Sequence, residues 1–313
     1  MKSPVTDTID IKVGFECNNK CLFCIQGNKR ETAPNLSDAE VKERLAQGKK
    51  EKRQRVVFTG GEPTFRPKEL IRWVAYAKKI GYEIIQIQTN GRIFSYLDYC
   101  KEMVKAGANE FGPALHGSTA DLHDRLTQAP GSFKQTTQGI KNLKFLNQRM
   151  IVNSVVNRLN YRDLPALAKL LVDLRVDQFQ FAFMHINNLI AEDPEAIRKY
   201  VPIVSEVMPY VKKGLDIGIK AGVNCMTEAV PYCLMSGYED YIAERIIPKA
   251  HVFDADIDIE SYEKYRKTEG KAKGPDCRRC RYDKICEGPW REYPAIFGWG
   301  EFKAIVKSNK QNG

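Results

Sequence analysis

Nowhere does this chain of 313 residues approach the roughly 18 consecutive apolar residues that a membrane-spanning helix requires. Its start, Met1-Lys-Ser-Pro-Val-Thr-Asp-Thr, lacks the apolar core of a secretory signal. These two absences argue against a helical membrane protein and make the cytoplasm the expected compartment. Low-complexity tracts are missing and the Pro- and Gly-containing loops are brief, so a fibrous or linker-dominated chain is not expected either. Nine cysteines are present, an odd count; in a cytosolic setting that argues for metal ligation over a disulfide framework.

The composition suits a folded, water-soluble chain: 43% hydrophobic, 28% charged, with mean hydropathy −0.43. The length fits either about two domains or one barrel with an appendage. The net charge of +10 is densest at Lys49-Lys-Glu-Lys-Arg-Gln-Arg55. That run falls at an expected helix end, where lysines oppose the helix dipole and face solvent. The positive balance leaves room for an anionic partner such as RNA, a nucleotide or an acidic peptide.

Strand-like and helix-like segments alternate from residue 9 to about residue 222. Ile9, Ile11, Val13 and Phe15 alternate as a strand. Asn35-Leu-Ser-Asp-Ala-Glu reads as a capped helix start, the helix running to about Lys50. Arg55-Val-Val-Phe-Thr-Gly-Gly is a short strand ending in glycines, and Leu70, Trp73, Val74, Ala77 and Ile80 follow at helical spacing. Ile84 to Ile87 is the third strand, closed by Thr89-Asn-Gly; a helix covers about 95–106, and Glu110 to Leu115 is the fourth strand. A helix after Gly131, a strand over 151–156, a helix over 164–174, a strand over 176–186 and a helical region over 193–222 complete the series. Six βα units predict an α/β fold with a parallel sheet and right-handed crossovers. Six falls short of the eight of a closed barrel, so the expectation is a partial (β/α)6 TIM-like barrel over residues 1–222. Beyond it, residues 223–313 read as a small, loop-rich metal-binding domain.

In such folds the loops after the strand C-termini converge on one face, where sites are built. Cys17-Asn-Asn-Lys-Cys21-Leu-Phe-Cys24 follows the first strand in a C-x₃-C-x₂-C spacing. Three thiols on one short loop can wrap three corners of a 4Fe–4S cube, and with no fourth cysteine nearby one iron stays open. A zinc site, which would want four ligands, competes with this reading. A second group, Cys233 with Cys277-Arg-Arg-Cys280 and Cys286, lies near the end. Cys225 is a spare, and Cys100, after a tyrosine in a helical stretch, reads as a buried structural thiol.

The first spacing, with Phe23 before its last cysteine, resembles the radical S-adenosylmethionine (SAM) superfamily. Gly60-Gly61-Glu62-Pro63 at the end of the second strand strengthens the resemblance, and Thr89-Asn90-Gly91 resembles the family's third-strand ending. The resemblance implies that the open iron chelates SAM, that Gly60, Gly61 and Glu62 run along its methionine end, and that Thr89 and Asn90 lie nearby. Many relatives carry a serine on the fourth strand where Ala114 stands here, so His116 or Asn153 is expected to supply that contact. His116 and His185 could equally serve packing. The trailing cysteines resemble the auxiliary-cluster domains called SPASM and twitch. Trp290 stands where a full SPASM domain has a further cysteine, which implies one auxiliary 4Fe–4S cluster on Cys233, Cys277, Cys280 and Cys286; four thiolates would also suit zinc.

The function implied is reductive cleavage of SAM to a 5′-deoxyadenosyl radical that takes hydrogen from a substrate. A one-electron reductant such as flavodoxin or ferredoxin is the implied partner. Peptide or protein modification is the leading expectation. The alternatives are a small-molecule, nucleotide or RNA-modifying enzyme, or a non-enzymatic iron–sulfur or zinc-stabilised protein. The GTP cyclase of molybdenum-cofactor synthesis is disfavoured, because it usually ends in Gly-Gly, whereas this chain ends Gln311-Asn-Gly313.

Overall fold

The computed structural model describes residues 7–186, 190, 192–255 and 257–306. Strand β1 (Thr8–Lys12) lies beside β2 (Arg55–Thr59), and the sheet continues in sequence order. The next strands are β3 (Ile84–Thr89), β4 (Glu110–Pro113), β5 (Arg149–Val156) and β6 (Gln178–Phe183), each parallel to its neighbour. These are the six expected strands, with helices packed outside them.

The sheet does not stop there. β7 (Asn224–Glu228) pairs parallel with β6, and β8 (Ala250–Phe253) pairs parallel with β1 on the other side. β9 (Asp258–Ile259) then adds antiparallel to β8. The order β7-β6-β5-β4-β3-β2-β1-β8-β9 leaves β7 and β9 as edges, so the barrel is open. Thus the segment after residue 222 gives strands to the sheet as well as carrying the second cysteine group. Periodicity hides β7 because Asn-Cys-Met-Thr-Glu is short and polar at both ends.

Local chemistry sets the helices. Helix 38–50 begins at a reciprocal capping box: Ser37 accepts from the Glu40 amide, and the Glu40 carboxylate accepts from the Ser37 amide. The expected helical region over 193–222 divides into Pro194–Tyr200 and Val204–Lys220. Pro202 holds Val201 extended (φ −90°, ψ 114°), which breaks the helix there. Among the described residues no helix is long and apolar enough to cross a membrane.

The strands divide their faces sharply. On β5, Met150, Val152, Ser154 and Val156 are buried against helices, whereas Ile151, Asn153 and Val155 point inward and keep part of their surface accessible. β6 and β7 repeat the pattern, leaving Gln180, Ala182, Met226 and Glu228 partly accessible. The outer faces of these strands are therefore the packed ones, and the inward faces keep part of their surface accessible. Its N-terminal end is closed by Arg55, Gln86, Glu110 and Arg149, with the Glu110 carboxylate held between the two arginines.

Candidate active site at the barrel mouth

The cysteine loop leaves β1 beside the end of β2. The Gly61 amide donates to Gly14 O and the Glu62 amide to Glu16 O, both at 2.8 Å, so the two chains continue side by side past the sheet. Only glycine fits in this approach. A Cβ on Gly61 would lie 2.2 Å from Phe15 O and 2.4 Å from Glu16 O. Gly60 adopts φ +128°, and a Cβ there would meet Gly14 O at 2.1 Å. Gly60 O accepts from Gln26 Nε2 at 3.1 Å. The glycines thus serve first to bring the second loop against the cysteine loop.

Glu62 has an equally local task. Its buried carboxylate accepts from the Thr64 amide (3.0 Å), Thr64 Oγ1 (2.6 Å), Thr89 Oγ1 (2.7 Å) and the Asn90 amide (2.6 Å). It ties the ends of β2 and β3 together. Asn90 carries the tie onward, with Nδ2 donating to Asn18 Oδ1 at 2.6 Å inside the cysteine loop. Arg92 Nη1 donates to Asn18 O (2.6 Å) and Asn19 Oδ1 (2.9 Å). From the other side the Lys20 and Leu22 amides donate to Thr127 O and Leu126 O, at the end of helix 120–127. Sequence reasoning missed Arg92 and this helix; Arg92's place directly after Thr89-Asn90-Gly91 was the available signal.

Phe23 packs edge-on against His116 (centroids 4.8 Å apart), and His116 stacks on His123. His116 Nδ1 accepts from the Val155 amide at 3.2 Å, and His123 Nδ1 from the His116 amide at 3.1 Å. Burial pushes both imidazoles down, to about 3 and about 4. They are neutral rings that brace the cysteine loop from beneath. Asn153 lies on the inward face of β5, and its Oδ1 is buried without a hydrogen-bond partner among the described residues. An acceptor held ready in this way suits a bound polar group.

Cys17, Cys21 and Cys24 are each partly exposed on this loop, with the Asn19 amide 3.4 Å from Cys17 Sγ. Burial pushes the thiols of Cys17 and Cys21 up, to about 11 and about 12. As free thiols they would stay protonated; iron takes them as thiolates. The structure thus gathers Gly60, Gly61, Glu62, Thr89 and Asn90 around the cysteine loop, places Asn153 in the interior, and puts His116 under Phe23.

The trailing cysteines also meet. Cys233, Cys277, Cys280 and Cys286 border one cavity of about 410 Å³, open to solvent, with Trp299 and Phe302 on its wall. The Cys233 thiol is pushed up to about 12 by burial and then by its neighbours Cys286, Cys280 and Cys277. Cys225 is elsewhere. Its buried Sγ faces helix Val204–Lys220, 3.5 Å from Leu215 O. Cys100 is the buried structural thiol expected, with Sγ 3.0 Å from Phe94 O. Among the described residues no three His, Cys, Asp or Glu side chains are grouped as for a single metal ion. Trp290 lies between His185 (centroids 3.6 Å apart) and Lys271 Nζ (3.7 Å from its ring), and its Nε1 donates to Phe183 O. It anchors the C-terminal segment over the end of β6.

A family model described as the radical SAM superfamily matches residues 11–201, and the chain belongs to that superfamily. Membership implies a 4Fe–4S cluster and SAM. Among curated proteins, it is 28% identical over 166 residues to an Fe-coproporphyrin III synthase of Methanosarcina barkeri, covering 53% of this chain and 41% of that protein. It is 26% identical over 252 residues to a probable GTP 3′,8-cyclase of Saccharolobus solfataricus, covering 79% and 76%. The chain spans about two-fifths of the length of the first of these relatives. Among solved structures, Streptococcus suis SuiB bound to precursor peptide SuiA matches with TM-score 0.66 at 14% identity, over 93% of this chain and 73% of SuiB. The protein anSMEcpe with bound AdoMet matches with TM-score 0.66 at 15% identity, over 91% of this chain and 89% of its own. At these identities the likeness is one of fold.

Proposed function

We propose that this enzyme modifies a peptide or protein, using two iron–sulfur clusters. Cys17, Cys21 and Cys24 hold three irons of the first, and residues 223–313 form a twitch-like domain in which Cys233, Cys277, Cys280 and Cys286 hold the second. The observation that carries the reading is the gathering of those four thiols around one cavity. The fold likeness supports it: over nine-tenths of the chain it extends to SuiB bound to a precursor peptide and to anSMEcpe bound to a peptide.

When bound, the first cluster and SAM would supply one-electron reductive chemistry that leads to hydrogen abstraction from the substrate. The chain's own part is placement. Gly60 and Gly61 set the loop that borders the methionine end of SAM, and the clamp of Glu62, Thr89, Asn90 and Arg92 holds the cysteine loop rigid against it. Asn153 Oδ1, without a partner among the described residues, would accept a hydrogen bond from SAM. Flavodoxin or ferredoxin serves as the one-electron donor.

A nucleotide substrate is the second reading, favoured by the GTP cyclase relative, whose match spans four-fifths of this chain. Anaerobic reconstitution followed by dithionite and SAM should yield 5′-deoxyadenosine. Adding short peptides encoded beside the gene, or nucleoside triphosphates, then separates the two readings by which one yields a modified product. If a fully loaded enzyme cleaves no SAM, the cluster assignment fails.

A further inference from the structure

The trailing thiols open to solvent through a rim of positive charge. Lys273 and Lys303 stand on the wall of the cavity that Cys233, Cys277, Cys280 and Cys286 border. The loop that supplies three of these thiols, residues 273–286, carries five basic and two acidic side chains. Both acids are already matched: Asp276 lies 3.0 Å from Arg279 and Asp283 lies 2.9 Å from Lys273. Glu239 approaches from outside the loop and accepts from Tyr282 Oη at 3.0 Å. Arg278, Lys284 and Lys303 are exposed, and their side chains have no ion pair or hydrogen bond among the described residues. Arg281, also exposed, lies over the Tyr282 ring at 4.7 Å from its centroid. Arg278 follows Cys277, Arg281 follows Cys280, and Lys284 follows Asp283, itself on the cavity wall. The uncompensated charges therefore gather around the opening.

The same rim carries an apolar tip. Ile285, beside Cys286, is 56% exposed. The Arg281 amide donates to Ile305 O at 2.7 Å, which brings Val306, 58% exposed, to this edge. A small apolar patch ringed by charge of one sign suits a transient partner, steered in by the charge and seated on the patch. Electron-transfer encounters bury little area, so a patch of this size suffices.

We propose that this basic collar is the docking surface for an acidic one-electron carrier protein, of the flavodoxin or ferredoxin class, which exchanges electrons with the trailing cluster. The inference rests on the two-cluster reading above. The step moves one electron from the reduced carrier to the oxidised trailing cluster, and no bond to the chain forms or breaks. Metal-ligating thiols directly behind the charge favour a redox carrier over RNA, which the charge alone would also attract.

The test is anaerobic calorimetry of the reconstituted enzyme with a flavodoxin of net negative charge as the probe. Combining Arg278→Glu with Lys284→Glu is expected to weaken binding at least about tenfold at low salt, the difference closing near about 0.5 M salt as the charges are screened. Iron content and dithionite-driven SAM cleavage should match wild type. Should the reversals cost iron, the neutral pair Arg278→Gln with Lys284→Gln reads the same effect. In the Cys21→Ala chain, where the trailing site alone is loaded, stopped-flow reoxidation of reduced flavodoxin should slow with the same substitutions. Undiminished binding by the reversed chain, at about eight irons, overturns the docking surface and leaves the two-cluster reading standing. So does binding that is lost in Lys20→Glu, on the first cysteine loop, but kept in the reversed chain. Four irons plus zinc sinks the two-cluster reading and the electron exchange with it. A uridylate decamer that binds more tightly than flavodoxin, and is released by the same reversals, assigns the collar to RNA and overturns the proposal.

Discussion

Replacing Glu62 by glutamine tests whether this residue works as the keystone of the barrel mouth. Four donors converge on its carboxylate, three on Oε1 and one on Oε2. Glutamine has one acceptor oxygen. Its best orientation keeps that oxygen on the three-donor side and turns its NH₂ toward the Asn90 amide, setting donor against donor. The variant loses a charge-assisted bond, about 1.5–3 kcal/mol, and leaves a buried amide unpaired, about 1–3 kcal/mol more. A total near 4 kcal/mol lowers the melting temperature by on the order of 10 °C in a chain of this size. The damage also has a direction. Asn90 holds Asn18, so the cysteine loop loosens and the reconstituted protein retains less iron and forms 5′-deoxyadenosine more slowly. Calorimetric melting, iron analysis and product chromatography read the three effects. A Glu62→Gln protein that melts within 2 °C of wild type and cleaves SAM at the wild-type rate would refute the reasoning.

Cys21→Ala should abolish SAM cleavage while leaving the trailing site loaded, and wild type should hold about eight irons per chain; four irons plus zinc would assign the trailing thiols to zinc. Asn153→Ala should weaken SAM binding by about tenfold with the melting temperature unchanged, since the lost atom has no partner within the protein; equal affinity by calorimetry would remove Asn153 from the site. Glu228→Gln should also change the pH dependence of stability. A carboxyl raised from 4.5 to about 7 holds its proton more tightly in the folded state, so its contribution is full below pH 4.5 and lost as pH rises through 7. That is worth roughly 3 kcal/mol, nearer 2 after allowing for its partial exposure. The variant should therefore match wild type in melting temperature near pH 4.5 and exceed it at pH 8; parallel curves would show that Glu228 is not raised.

Much of the site was legible because its chemistry is local. Three thiols within eight residues need no tertiary structure to be seen as a cluster loop, and Gly60-Gly61 marks a close backbone approach wherever it falls. What the approach was to could not be read. The glycines lie against Phe15 and Glu16, and the carboxylate of Glu62 turns to its own loop and to Thr89 and Asn90. Likewise Cys225 and Cys233 are eight residues apart and equivalent as letters. Only the inward–outward alternation of β7 sends Cys225 toward helix Val204–Lys220 and away from the other three thiols.

By itself, the sequence determined the six βα units, the capped helix after Ser37 and the two cysteine groups, because periodicity, capping and metal-ligand spacing each act over a few residues. The tertiary structure alone decided how the barrel ends. β8 reaches β1 from about 240 residues away, β7 extends the other edge, and Trp290 stands over β6 between His185 and Lys271. It also decided which charges remain single. Whether an acid such as Glu228 has a partner depends on what arrives from distant parts of the chain: Lys271 arrives beside Glu244, and Arg266 spends Nε and Nη2 on Glu287 while its buried Nη1 has no partner among the described residues.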